Sequence, residues 1–128
     1  MYIFVYLSYF FLAKRRLAEC NFLGADILQT QLRCGTEVRR VGLRMIQGPP
    51  ARHNIEIYLN EQHNIGYVTS GCPSPSLGGN VAMGYIAETY KQIGAQVYLK
   101  IRNQFYKAEV TKLPFIKTNY YYKPKTVK

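Results

Sequence analysis

Residues 97–112, VYLKIRNQFYKAEVTK, repeat with a period of two. Val97, Leu99 and Ile101 fall on one face, with polar or aromatic residues between them. Asn103-Gln104 reads as a short turn. The chain then returns over Phe105–Lys112 with Tyr106, Ala108 and Val110 on one face. A helix needs apolar residues three and four apart, so this alternation selects a β-hairpin. Pro114 cannot donate to a strand ladder and ends it.

The same period extends upstream. Val81–Ile86 is apolar on both faces, as for a strand covered on both sides. Residues 54–59 alternate through Ile55, Ile57 and Leu59, and Ile65–Thr69 returns after the polar loop Asn60–Asn64. Gly48-Pro49-Pro50 breaks the chain before them. Glu37–Met45 sets Val41, Leu43 and Met45 on one face and Arg40, Gly42 and Arg44 on the other. About six short strands at even spacing predict a mainly β fold, a small antiparallel β-barrel or sandwich. A modest helix over residues 17–32 precedes it, with Ile27, Leu28 and Leu32 as its apolar positions, Asp26 as an early acid and Gly35 as its stop.

The chain has 128 residues, enough for one domain. Seventeen Lys and Arg against seven Asp and Glu give a formal charge of +10, which favours an anionic partner without choosing one. Residues 1–13, MYIFVYLSYFFLA, are apolar but too short for a membrane span of about 20 residues. Their basic cluster follows instead of preceding, unlike a secretory signal, and they lack the amphipathic, Arg-rich pattern of an import presequence. They read as a buried strand or core segment. Cys20, Cys34 and Cys72 form neither a disulfide framework nor a metal-ligand spacing. His53 and His63 read as solvated loop histidines, and no metal is expected.

Three places compete for chemistry. In Gly71-Cys72-Pro73-Ser74-Pro75-Ser76 the thiol and hydroxyls have no base beside them, so the stretch reads as a stiff loop between two buried strands. Arg40 stands between Val38 and Gly42 on its face, and the glycine leaves room for a close approach; Arg52 is a weaker case of the same kind. The tail from Lys112 to Lys128 carries five lysines, no acids and Tyr120-Tyr121-Tyr122, a composition suited to stacking and to anions.

KRR (14–16), FLGAD (22–26), RRVGLRMIQGPPAR (39–52), IGYVTSGCPSPSLGGNVAMGYI (65–86) and TKLPFIKTNYY (111–121) occur in this order. Together they resemble the C-terminal part of the aminomethyltransferase family, the T-protein of the glycine cleavage system, from about Leu12 to Tyr122. The resemblance implies a C-terminal β-barrel of an enzyme about three times this length. That enzyme moves a one-carbon unit from the aminomethyl-lipoyl arm of H-protein to tetrahydrofolate, its substrate, and releases ammonia. It also implies a mitochondrial location in eukaryotes. By the same resemblance Tyr120 is a substrate- or folate-binding residue and Arg40 supports the active site; no catalytic residue falls in this chain. The initiating aspartate belongs to the N-terminal folate-binding domains, so the chain reads as a fragment inactive alone.

The expected organisation is an atypical apolar start (1–13), a helical connector (14–36), the barrel (37–122) and a basic tail (123–128). Two other readings stay open from the residues. One is a basic barrel that binds nucleic acid or an acidic protein, with nucleic acid the less favoured once the family resemblance is weighed. The other is the terminal barrel of a dimethylglycine or sarcosine dehydrogenase.

Overall fold

A computed structural model describes residues 14–123; the apolar start at 1–13 and the end of the tail lie outside the described residues. Helices α1 (Lys14–Glu19) and α2 (Ala25–Cys34) lead into strands β1 (Val38–Met45), β2 (Glu56–Asn60), β3 (His63–Ser74), β4 (Gly79–Ala87), β5 (Gln96–Ile101) and β6 (Gln104–Thr111). A 3-10 turn at Glu88–Tyr90 joins β4 to β5. The six strands close into an antiparallel barrel in the order β1-β4-β3-β2-β5-β6.

Closure follows from the alternation. Val97, Leu99 and Ile101 of β5, Val41, Leu43 and Met45 of β1, and Ala108 and Val110 of β6 all enter one core with Ile57, Val68, Ala82 and Ile86. Each fully buried aliphatic side chain contributes about 1.5–3 kcal/mol over its exposed state. Small residues make room for large ones: a Cβ on Gly84 would stand 3.0 Å from Ile57 Cδ1. β4 has Val81, Ala82, Gly84 and Ile86 buried, with Met83 and Tyr85 half-buried, so both its faces are substantially covered as the apolar run predicts.

Three sequence expectations need correction. The hairpin turn is Arg102-Asn103, one residue earlier than expected, with Ile101 paired to Gln104. Both turn residues have positive φ, 51° and 64°, which suits the twist of a two-residue hairpin. The helix over 17–32 is two helices, because Cys20 (φ 51°) and Gly24 (φ 82°) turn left-handed between them. On α2 the buried positions are Ala25 and Leu28, while Ile27 and Leu32 are exposed. Its end is as expected: Gly35 at φ 80° donates its N–H to Gln31 O at 2.9 Å.

The third correction concerns the Pro/Ser stretch. Gly71, Cys72, Pro73 and Ser74 belong to β3 and pair with Ala82, Val81, Asn80 and Gly79 of β4. Only Pro75–Gly78 forms the connection, closed by Leu77 N–H to Ser74 O at 3.2 Å and Gly78 N–H to Pro75 O at 3.3 Å. On the other side of β3, Arg52 Nη1 donates to Gly71 O at 3.3 Å and His53 Nδ1 lies 3.0 Å from Thr69 O. β3 is thus much longer than β2, and residues 52–53 cover part of the overhang.

Candidate functional site around Arg40

β1 presents Arg40. Its buried face (Val41, Leu43, Met45) fixes the alternation, so Arg40 and Arg44 point out. Across the ladder Arg40 faces Tyr85 of β4, and Tyr85 faces Tyr67 of β3. The tyrosine rings are 6.0 Å apart between centroids at 44°. Arg40, Tyr85 and Tyr67 therefore form a row across three neighbouring strands, which are spaced about 4.8 Å apart.

Beside Arg40 the barrel seam opens. β1 and β6 pair from Gly42 and Thr111 onwards; before that they part. The gap is a groove of about 250 Å³ whose lining includes Arg39, Arg40, Lys91, Ile93, Lys112 and Leu113 and, among the described residues, no carboxylate. Glu88 offsets part of the charge of Arg39 and Lys91, and the cations that outnumber it around an apolar floor favour an anion carrying an apolar body.

Arg39 and Lys91 are held in place by one acid. Arg39 Nη2 donates to Glu88 Oε1 at 2.8 Å, and Lys91 Nζ to the same oxygen at 2.6 Å. The Lys91 ammonium and then the Arg39 guanidinium hold the Glu88 carboxyl below its usual 4.5. A lowered carboxyl stabilises the fold above its unfolded pKa and loses that contribution as pH falls through the folded value. Thermal melts of Glu88→Gln and of the native chain are therefore expected to differ most at neutral pH and to converge as pH drops below 4.5. Equal differences at every pH would contradict the linkage. Residue 88 is the only acid between Glu61 and Glu109, a signal readable in the sequence. Nothing in the sequence singles out Tyr85 and Tyr67, which strand register brings alongside Arg40, or Lys91 and Lys112, which the fold brings to the same groove.

Gly42 corrects one expectation. The room beside it is taken by the chain itself: an added Cβ would lie 2.9 Å from Leu113 Cδ2 and 2.9 Å from Phe115 Cε1. The segment after β6 is thereby latched over β1, and it carries Tyr120 onwards. Tyr120 is 68% exposed, with Tyr121 and Tyr122 also exposed. No hydrogen bond or ring contact joins Tyr120 to Arg40 among the described residues. Gly42→Val is expected to unlatch this segment and speed tryptic cleavage at Lys117 several-fold, while the barrel's far-UV circular dichroism is kept. Unchanged cleavage would show that Phe115 does not hold the segment.

The other candidates remain apart. Cys72 is exposed on β3 and Ser76 is exposed in the connection. His53 is engaged with Thr69 O, and His63 stands edge-on to Tyr90 at 6.1 Å. Among the described residues no three His, Cys, Asp or Glu side chains group as a metal site.

A closed six-stranded antiparallel barrel with a helical lead and a cationic seam defines a class: a small barrel domain with one open, charged flank. The chain belongs to the glycine cleavage T-protein C-terminal barrel domain family, whose sequence model matches residues 39–117. It is 46% identical over 110 residues to the mitochondrial aminomethyltransferase of Homo sapiens, covering 86% of this chain and 27% of that protein. The mitochondrial aminomethyltransferase of Flaveria anomala gives the same 46%, 86% and 27%. The crystal structure of the glycine cleavage system aminomethyltransferase T from Bartonella henselae superposes with a TM-score of 0.79 at 34% identity, over 86% of this chain and 30% of that one. The chain thus spans under a third of the length of these relatives. Their names favour neither the dehydrogenase reading nor the basic binding module for nucleic acid or an acidic protein.

Proposed function

We propose that this chain acts as the C-terminal barrel of a mitochondrial aminomethyltransferase that transfers a one-carbon unit from aminomethyl-lipoyl H-protein to tetrahydrofolate with release of ammonia. The observation that carries the proposal is the family match over 39–117, which includes the outward Arg40 at a groove rich in cations. A guanidinium there suits a bidentate pairing with a carboxylate of the folate-binding domains, and so supports the active site. The exposed phenol at Tyr120 suits stacking on, or hydrogen bonding to, the folate. The groups that initiate transfer belong to the parts of the relatives that this chain does not match, so the chain by itself gives no turnover.

The test is an aminomethyl-transfer assay with lipoylated H-protein and tetrahydrofolate. It is run on this chain alone and on a chimera in which the matched region replaces that of the Homo sapiens relative. The chimera is expected to be active and the chain alone silent. Arg40→Ala in the chimera is expected to lower kcat/KM about tenfold or more, since a charged hydrogen bond is worth roughly 1.5–3 kcal/mol. Turnover by the chain alone, or an inactive but folded chimera, would sink the proposal.

A further inference from the structure

A second cationic hollow lies at another end of the barrel and shares no lining residue with the Arg40 groove. It has a volume of about 340 Å³, a floor of Pro49, Pro50, Ile55 and Ile101, and a rim of Arg52 and Arg102. Among the described residues no carboxylate lines it. Arg52 is tethered by its bond to Gly71 O at 3.3 Å, which leaves most of its donors unused. Arg102 occupies the first position of the β5–β6 turn at φ 51°. Asn or Gly is the favoured residue at such a position, and an arginine there is held in a conformation L side chains seldom adopt. Local folding does not ask for this residue, whereas a cation at the rim does.

We infer that this hollow docks an acidic protein segment, seating one apolar side chain on the Pro/Ile floor with flanking carboxylates on Arg52 and Arg102. The chain's formal +10 adds long-range attraction for such a partner. Among the described residues the floor has no aromatic ring on which a base would stack, which disfavours single-stranded nucleic acid. Both arginines are exposed, so a small inorganic anion would stay solvated and gain little. An apolar floor framed by arginines is the composition of a protein interface. The inference does not rest on the aminomethyl-transfer reading, and its test does not use that activity.

The test titrates the ¹⁵N-labelled full chain with acetyl-Glu-Glu-Leu-Glu-Glu-amide, followed by amide shifts at low and at physiological salt. Saturable shifts are expected at Arg52, Ile55, Ile101 and Arg102, weakened by salt. Arg52→Gln with Arg102→Gln should weaken binding about tenfold or more, while Arg33→Gln on α2 should not change it. Arg102→Asn supplies a separate reading: the left-handed position accepts Asn, so the melting temperature should rise while binding falls. Shifts confined to other residues, equal binding of the Gln-for-Glu peptide, or equal binding by the folded double variant would overturn the inference. Stronger shifts at the same residues with oligothymidylate or inorganic phosphate would overturn it in favour of those ligands.

Discussion

Gly66→Ala is expected to abolish the folded barrel. Gly66 is the inward residue of β3 that pairs with Ile57 of β2 on one side and Ile86 of β4 on the other. A Cβ there would stand 1.9 Å from the Tyr85 carbonyl oxygen and 2.8 Å from Ile86 Cα. Ordinary carbon–oxygen contacts need about 3.3 Å or more, and the atoms met are backbone, which cannot rotate aside. β3 and β4 would have to separate, and the extensive contacts between them would be lost. The cost exceeds the roughly 1–3 kcal/mol of ordinary overpacking and removes most of a small domain's stability of about 5–15 kcal/mol. Far-UV circular dichroism and amide dispersion should both report an unfolded chain at 25 °C. A folded variant with a native melting temperature would show that the β3–β4 spacing is not set by Gly66.

Leu43→Ala is expected to be the next most damaging change. Leu43 is fully buried and sits where β1 is hydrogen-bonded on both sides, opposite Ala82 of β4 and Val110 of β6. Its neighbours across both ladders are small or short, so nothing is placed to fill the space. Leu-to-Ala changes at such sites cost about 3–5 kcal/mol, which lowers Tm by roughly 10–25 °C for a domain this size. The consequence reaches the site, since Leu43 belongs to the buried trio that turns Arg40 outward. Differential scanning calorimetry measures the loss. A fall below about 1 kcal/mol would mean that the seam repacks freely.

Much of this fold was legible in the sequence because a period of two leaves few alternatives. Val97, Leu99 and Ile101 had only one face to share, and the structure buries all three. What was not legible depends on backbone geometry that residue identity does not advertise. Arg102 and Cys20 are poor formers of the left-handed conformation, so nothing in the letters pointed to the turn starting at 102 or to the break after α1. Likewise Pro73 discourages a strand, yet it pairs with Asn80 on a stretch of β3 that β2 does not reach, so its missing N–H falls on the open side and costs the ladder nothing.

The candidate site divides in the same way. Arg40 was readable because Val41, Leu43 and Met45 fix which face it takes. Its surroundings were not, since Tyr85 and Tyr67 join its row only through the closed strand order, and Lys91 and Lys112 share its groove only through the fold. Gly42 shows the limit of composition: the letter promised space, and the fold fills that space with Phe115.

The overhang of β3 beyond β2 has a bearing on how copies of this chain behave together. A bare strand end invites a second molecule to add its own strand and begin a fibril. Here Pro73 offers no N–H, and the side chains of Arg52 and His53 already occupy the carbonyl oxygens of Gly71 and Thr69. The strand end is stoppered by its own preceding loop, so a concentrated solution of the barrel meets no template for edge-to-edge growth at this place.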